Sequence, residues 1–423
     1  MNRSTRHAPA HAAATAILVL LAAAWAWAEP PPTTQPVRDL AELLEPIRAQ
    51  HNLPALAGTI IRGDDLVALG ATGVRCMGDT TLVTPNDRFH IGSCTKAMTA
   101  TLIGRLVEQG QLRWDTTVAD VFPDLKGEIR PEYHAVTIEQ LLTHRSGLPE
   151  DRVPGPVFMR LRTLDGPIRQ QRETLVRLAL GQEPAAQPGS KMIYSNMGYA
   201  VAGAMAERVT GRSWEELMRD LLFTPLKMDT AGFGPPGTPL EPDQPRGHRL
   251  VGEELLPLEP LALSDNPACL GPAGTVHCSL GDWARFAALH LRGARGESGL
   301  LKAETITTLH RPPPGFDYAL GWGVVERPWA GGTALTHAGS NTYWYAVAWL
   351  APKRDFAVLV ATNCGTPEAA KACDETAGKL IEYVQKHLRQ SEHGRSGPTS
   401  HRSGAGTASP TCVHPWACGV SAS

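Results

Sequence analysis

Strand-like runs of apolar residues occur near both ends of the chain, whereas helical patterns fill most of the sequence between them. Residues 57–61 and 66–70 predict a hairpin, because turn-forming residues separate them. Further strands are predicted near the other end, at 318–325, 333–336, 343–350 and 356–362. Strands from both ends need hydrogen-bonded partners, so we predict an α/β (α+β) fold with one mixed, mainly antiparallel sheet. Helices flank this sheet, a mainly helical lobe is inserted, and a site would lie in the cleft between them.

The first 28 residues have the pattern of a cleaved secretory signal. Arg3, Arg6 and His7 precede an apolar run, and small residues at 26 and 28 suit a cleavage site. The run is too short to cross a bilayer well, so no membrane span is expected after cleavage. We therefore predict a periplasmic or secreted protein with a catalytic domain at 29–388. Residues 389–423 are rich in Ser, Gly, Thr, His and Pro, which predicts a disordered tail.

Export implies an oxidising compartment, in which the eight cysteines can pair. Spacing alone leaves many pairings open. Short loops favour three local disulfide bridges: Cys269 with Cys278, Cys364 with Cys373, and Cys412 with Cys418. Cys76 and Cys94 would then have no local partner. No Cys or His cluster has the spacing of a zinc site, so no metal is expected. The net charge of -2 gives no reason to expect nucleic acid as a partner.

Ser93 and Lys96 stand at the start of a predicted helix that ends near Gly110. Three residues make almost one helical turn, so we expect the Lys96 amine beside the Ser93 hydroxyl. A serine hydroxyl becomes a good nucleophile when a neighbouring base takes its proton, and a lysine can be that base if burial lowers its pKa. The alternative for this pair alone is a helix-capping serine followed by a solvated lysine.

Tyr194 and Asn196 follow a tight turn and precede a helix. The tyrosine could hold or relay the serine proton beside a lysine, and the asparagine amide could bind a substrate carbonyl and the lysine. Taken singly, the segment is also consistent with a core tyrosine and a helix-capping asparagine.

His337, Gly339 and Ser340 lie at the end of a predicted strand. A glycine here lets a substrate backbone approach, and an exposed strand amide could complete an oxyanion hole with the Ser93 amide. The alternative is a strand-end turn with a surface histidine.

The order Ser-x-x-Lys, Tyr-Ser-Asn, His-x-Gly resembles the penicillin-recognising serine hydrolases, in the branch of class C β-lactamases, D,D-carboxypeptidases, D-aminopeptidases and related esterases. Residues 141–149 resemble that family's Leu-Leu-x-His-x-Ser-Gly-Leu-Pro signature, and 271–286 resemble its second glycine-rich segment. The resemblance covers roughly residues 37–388. It implies a β-lactamase/transpeptidase-like fold and an acyl-enzyme mechanism without metal or organic cofactor.

By this resemblance, Ser93 is the acylated nucleophile, Lys96 its proton acceptor and Tyr194 the general base that activates water. A second set of residues would bind the substrate. Asn196 would position the substrate amide or ester, His337 would face its carboxylate or leaving group, and the amides of Ser93 and Ser340 would form the oxyanion hole beside Gly339.

The third motif departs from the Lys-Thr-Gly of β-lactamases in this branch, because it has His337 and Ala338. A histidine is only partly charged near neutral pH, and Ala338 lacks a hydroxyl donor. We therefore expect an exported hydrolase whose small-molecule substrate is an ester or a D-amino peptide. The alternatives are a class C-like β-lactamase and a penicillin-binding-type protein that binds its ligand with little turnover.

Overall fold

A computed structural model of the chain describes residues 37–152 and 155–393. The predicted signal at 1–28 and most of the predicted tail, with Cys412 and Cys418, lie outside the described residues. The described strands are β1 Arg38–Asp39, β2 Ala55–Arg62, β3 Asp65–Gly73, β4 Phe89–His90, β5 Gly232–Phe233, β6 His248–Val251, β7 Glu254–Pro257, β8 Val276–Cys278, β9 Gly323–Arg327, β10 Gly332–Ser340, β11 Tyr345–Ala351 and β12 Phe356–Thr362. The described helices are α1 Ala41–Gln50, α2 Thr95–Glu108, α3 Val118–Val121, α4 Ile138–Leu142, α5 Pro156–Leu161, α6 Ile168–Leu180, α7 Asn196–Thr210, α8 Trp214–Met218, α9 Gly271–Gly274, α10 Leu280–Ala294, α11 Ala303–His310 and α12 Pro367–His393. Among the described residues, no helix combines the length and apolarity needed to cross a membrane.

One seven-stranded sheet joins the two ends of the described chain, in the order β1-β3-β2-β12-β11-β10-β9. The early hairpin β2–β3 meets the late strands where β12 pairs antiparallel with β2, from Phe356 opposite Arg62 to Thr362 opposite Leu56. Only the short β1 runs parallel to its neighbour, β3. The predicted mixed sheet built from both chain ends is therefore confirmed.

Two apolar cores lie on opposite faces of this sheet. Every residue of β12 is buried, and its side chains alternate between the two cores as expected for a strand. Ala357 and Leu359 belong to the core that also contains the apolar residues of α2, α10 and the helical lobe. Val358 and Val360 belong to the core formed with α1 and α12. Helices thus cover both faces of the sheet, and the loops that follow its strands extend from this packed layer.

Several short elements were not predicted from the sequence. They are the sheet β4-β8-β5 and the hairpin β6–β7, whose strands have two to four residues each. A strand this short gives no measurable alternation of apolar residues. The last helix was predicted at 370–387 but runs from Pro367 to His393, which includes the first residues of the predicted tail.

The two predicted local disulfides within the described residues are not formed. The structure has free thiols at Cys76, Cys94, Cys269, Cys278, Cys364 and Cys373. Five of these thiols, all except Cys76, are buried among apolar side chains, and burial raises the pKa of Cys269 to about 11. These cysteines act as small core residues, because a short sequence spacing alone does not create disulfide geometry.

Candidate active site

Ser93 lies in a short helical turn, Gly92–Cys94, between β4 and α2. Gly92 has a φ of 50°, a left-handed conformation that glycine adopts without strain. A Cβ atom at position 92 would collide with the backbone nitrogen of Ser340 and lie 2.7 Å from the carbonyl carbon of Gly339. The glycine therefore allows direct backbone contact between the serine turn and β10.

The Lys96 ammonium group lies next to the Ser93 hydroxyl, as the helical spacing predicts. Its Nζ is 3.0 Å from Ser93 Oγ, 2.7 Å from Asn196 Oδ1 and 2.7 Å from the carbonyl oxygen of Ala273. The side chain is fully buried, so the alternative of a solvated lysine is wrong. An ammonium group has three N–H donors, and these three oxygen atoms can accept all of them.

Aromatic rings flank the same amine. Lys96 Nζ lies 4.8 Å from the centre of the Tyr194 ring and 5.5 Å from that of Tyr199, distances at which a ring face stabilises a cation. The buried Tyr194 ring packs against His144, with 4.3 Å between ring centres. The Nδ1 atom of His144 accepts a hydrogen bond from the Ser195 N–H at 3.1 Å. Burial, and then the charge of Lys96, holds the pKa of His144 well below its ordinary value, so a neutral imidazole supports Tyr194.

Asn196 is the first residue of α7, and Ser195 caps this helix by accepting a hydrogen bond from the Gly198 N–H at 3.4 Å. Asn196 is partly exposed as a residue, and its Oδ1 contacts Lys96. Its Nδ2 donates to the buried carboxylate of Asp151 at 3.1 Å. Sequence reasoning missed Asp151, which lies just beyond the 141–149 segment in a loop without a motif of its own.

The end of β10 has a free edge that faces the serine turn. β10 pairs with β9 only as far as Thr336, whereas its pairing with β11 continues to Ser340. A Cβ atom at Gly339 would lie 2.6 Å from the Ser93 nitrogen and would collide with the Ile91 carbonyl oxygen. The backbones that carry the Ser93 and Ser340 amides are therefore in contact, as the predicted oxyanion hole requires.

His337 is buried rather than on the surface, with 3% of its area exposed. Its Nδ1 lies 2.6 Å from the Ala338 carbonyl oxygen, which only a donor N–H can approach, and its Nε2 lies 2.9 Å from Tyr318 Oη. Burial raises the pKa of Tyr318 well above its ordinary value, so the phenol keeps its proton. Tyr318 was predicted only as part of a strand. The contact of His337 with a substrate carboxylate stays a prediction.

A second buried carboxylate, Asp265, lies behind the contact between the serine turn and β10. Its Oδ2 is 3.1 Å from His90 Nε2, and His90 Nδ1 accepts a hydrogen bond from the Gly92 N–H at 3.1 Å. The Oδ1 atom of Asp265 accepts a hydrogen bond from Asn341 Nδ2 at 2.9 Å. Asp265 therefore connects the residues preceding Ser93 with the residue that follows Ser340.

The Cys94 thiol is buried and lies 3.4 Å from the His337 carbonyl oxygen. Within residues 37–152 and 155–393, no group of three or more His, Cys, Asp or Glu side chains could hold a metal ion.

Comparisons with known proteins show what the chain is similar to. A family model described as Beta-lactamase matches residues 40–381. Penicillin-binding protein 4 of Amycolatopsis lactamdurans is 30% identical over 336 residues, which cover 77% of this chain and 84% of the relative. The unguisins hydrolase ungD' of Aspergillus campestris is 28% identical over 346 residues, which cover 77% of this chain but only 61% of the relative.

Solved structures show the same fold. The octameric penicillin-binding protein homologue from Pyrococcus abyssi superposes with a TM-score of 0.65 at 24% identity, over 82% of this chain and 76% of the homologue. SurE superposes with a TM-score of 0.60 at 22% identity, over 87% of this chain and 78% of SurE. At this level of identity the two structures support the fold alone.

Proposed function

The chain belongs to the beta-lactamase family of serine hydrolases, and from this premise we propose that it hydrolyses an ester or an amide through an acyl-enzyme on Ser93. The observation that carries the proposal is the buried contact of 3.0 Å between Lys96 Nζ and Ser93 Oγ. Water is largely excluded from this contact, so proton transfer between the two groups needs no solvent reorganisation.

Acylation starts once the Lys96 ammonium has lost one proton: Ser93 Oγ attacks the substrate carbonyl carbon while the lone pair of the neutral Lys96 amine accepts the hydroxyl proton. The carbonyl oxygen becomes an oxyanion, which the N–H groups of Ser93 and Ser340 stabilise. Collapse of this intermediate breaks the bond to the alcohol or amine, which leaves with the proton held by Lys96. Asn196 would hold the substrate carbonyl side through its amide during these steps.

In the deacylation step, Tyr194 transfers its phenol proton to the neutral Lys96, and the resulting phenolate accepts a proton from a water molecule whose oxygen attacks the acyl carbon. Collapse of this intermediate releases Ser93 Oγ, which takes the proton held by Lys96, and the acid product leaves. The positive charge gained by Lys96 favours the phenolate, and Lys96 Nζ lies 4.8 Å from the centre of the Tyr194 ring.

The substrate class follows from the third motif. A histidine at position 337 is only partly charged near neutral pH, so it offers no fixed positive charge to a β-lactam carboxylate. We therefore propose an ester or a D-amino peptide as substrate. A class C-like β-lactamase and a ligand-binding protein with little turnover are the alternatives. On the pattern of residues 1–28, we also propose that the protein is periplasmic or secreted.

The test is covalent labelling of the purified protein with a fluorophosphonate and, separately, with a penicillin, read by intact mass and peptide mapping. We expect a fluorophosphonate adduct on Ser93 that disappears in Ser93→Ala. Ser146→Ala is the matched control, because Ser146 is also buried near α7 but accepts only a hydrogen bond from Leu148 N–H.

The outcomes separate the three functions. Labelling by the fluorophosphonate with hydrolysis of simple esters or D-amino peptides supports the proposal. Rapid turnover of a chromogenic cephalosporin would favour a β-lactamase, and a stable penicillin adduct without turnover would favour the binding protein. Absence of any label on Ser93 would contradict the assignment of the nucleophile.

A further inference from the structure

Asp151 is a buried carboxylate that contacts three consecutive residues, the last two of the Tyr-Ser-Asn segment and the Met197 that follows. Its Oδ1 accepts hydrogen bonds from Asn196 N–H at 2.7 Å and from Asn196 Nδ2 at 3.1 Å. Its Oδ2 accepts hydrogen bonds from Met197 N–H at 2.7 Å and from Ser195 Oγ at 3.1 Å. The two backbone N–H groups belong to the first turn of α7, where they have no partner within the helix.

The contact with Asn196 Nδ2 has a consequence for Lys96. A carboxamide has a donor end and an acceptor end, and an ionised carboxylate only accepts. Because Nδ2 faces Asp151, Oδ1 faces the opposite way, where Lys96 Nζ lies 2.7 Å from it. In the reversed orientation, the amide oxygen would face the carboxylate and the amide N–H groups would face the ammonium. Both contacts would then be repulsive.

We infer that Asp151 is a positioning residue for acylation: it fixes the Asn196 amide, and through the amide oxygen it holds Lys96 beside Ser93. This inference rests on the proposed function of Ser93. One N–H of Nδ2 is taken by Asp151, and the other remains available for a substrate carbonyl, since Asn196 is partly exposed. Asp151 thus also fixes the direction in which the amide meets the substrate.

The hydrogen bonds around Asp151 favour its ionised form. Burial raises the pKa of this carboxyl, and hydrogen bonds from the N–H groups of Asn196 and Met197, together with the charge of Lys96, offset part of this rise. These two backbone N–H groups and Asn196 Nδ2 can only donate, so they stabilise a carboxylate that accepts. His144, which packs on Tyr194, is kept neutral and adds no competing charge.

The experiment must separate positioning from helix capping, because two of the four hydrogen bonds cap α7. In Asp151→Asn, the shape is kept but one end of the side chain becomes a donor that faces other donors. We expect fluorophosphonate acylation of Ser93 to slow by about a hundredfold, the order expected for a small misplacement of a catalytic group. Ser195→Ala is the matched control, because it removes one hydrogen bond to Asp151 and the helix cap but leaves the contact with Asn196 Nδ2. We expect it to lower the melting temperature while acylation stays within a few-fold of wild type.

The double variant Asp151→Asn/Asn196→Asp exchanges the two groups. A carboxylate at position 196 presents an acceptor to Lys96 in either orientation, and the amide at 151 can donate to it. We expect this variant to acylate at least tenfold faster than Asn196→Asp alone, in which two carboxylates face each other. If Asp151→Asn does not fold, the comparison of the double variant with Asn196→Asp still tests the inference.

Any of three results would overturn the inference. The first is a wild-type acylation rate in folded Asp151→Asn, and the second is an equal loss of acylation rate in Asp151→Asn and Ser195→Ala. The third is an equal acylation rate in the double variant and in Asn196→Asp. Failure of the proposed function is a different result, since wild-type Ser93 would then not be labelled at all.

Discussion

The contact between Gly339 and the serine turn gives a sharp test of the oxyanion hole. A Cβ atom at position 339 would lie 2.6 Å from the Ser93 nitrogen and 2.8 Å from the Cys94 nitrogen, and closer still to the Ile91 carbonyl oxygen. All three neighbours are backbone atoms, which cannot rotate away as a side chain would. In Gly339→Ala, β10 and the serine turn must therefore move apart by nearly an ångström.

The expected loss follows from this displacement. The Ser93 and Ser340 amides would no longer converge on one oxygen atom, and removal of one oxyanion donor costs about 10²- to 10³-fold in rate. We expect fluorophosphonate acylation to fall by about 10²-fold, which corresponds to roughly 3 kcal/mol of transition-state stabilisation. Overpacking of a close contact should also lower the free energy of unfolding by about 1–3 kcal/mol.

The assay measures the acylation rate and the unfolding free energy of the same preparation. Gly127→Ala is the control, because Gly127 has no atom near its Cβ position and does not require a positive φ. It should leave both quantities close to wild type. A folded Gly339→Ala protein that acylates at the wild-type rate would refute the placement of the oxyanion hole between the serine turn and β10.

Three further predictions address turnover, specificity and stability. Tyr194→Phe should keep fluorophosphonate labelling but slow steady-state hydrolysis by at least about 10²-fold, because the acyl-enzyme loses its base; unchanged turnover would remove Tyr194 from the mechanism. His337→Lys should raise the affinity for penicillins, measured by the concentration dependence of acylation, if this position meets a carboxylate; no change would place it outside the substrate site. Burial lowers the pKa of His248 and of His277 to about 4 in the folded protein, from 6.5. The unfolded chain therefore binds protons that the folded protein does not, so stability is complete above pH 6.5 and falls as pH decreases toward 4, by about 2 kcal/mol per histidine at pH 5. Urea unfolding across this range measures the loss, and a flat profile would contradict the buried, neutral state of both histidines.

The sequence predicted those parts of the site in which local spacing determines geometry. Ser93 and Lys96 are three residues apart where a short helical turn continues into α2, so their contact follows from local helical spacing. The strand at Phe356–Thr362 was predicted with its observed bounds, because every residue in it is apolar or β-branched and both ends carry turn signals. The approach of Tyr194 and Asn196 to Lys96 rested on a family resemblance, since no local pattern brings residues a hundred positions apart together.

The parts that the sequence did not predict depend on tertiary contacts. Asp151 and Asp265 lie in loops, and a carboxylate in a loop is usually solvated. Only the fold reveals that one meets the first turn of α7 and the other meets His90 and Asn341. The cysteines were misjudged for a related reason: sequence spacing and compartment favour disulfides, whereas burial in the two cores decides where the thiols of Cys269 and Cys364 lie.

The two buried carboxylates suggest how catalysis depends on residues outside the three motifs. Asp151 contacts Asn196, and Asp265 contacts the side chains of His90 and Asn341, which flank the backbone of the proposed oxyanion hole. Neither carboxylate belongs to the three motifs, so we expect that a chain could keep Ser93, Lys96 and Tyr194 and still lose acylation if either loop changed. This inference also bears on the binding-protein alternative, because we expect a chain with intact motifs to turn over its substrate only if the loop carboxylates hold the motif residues at reacting distance. A comparison of acylation with deacylation in Asp151→Asn and Asp265→Asn would therefore separate loss of positioning on the Lys96 side from loss on the oxyanion side.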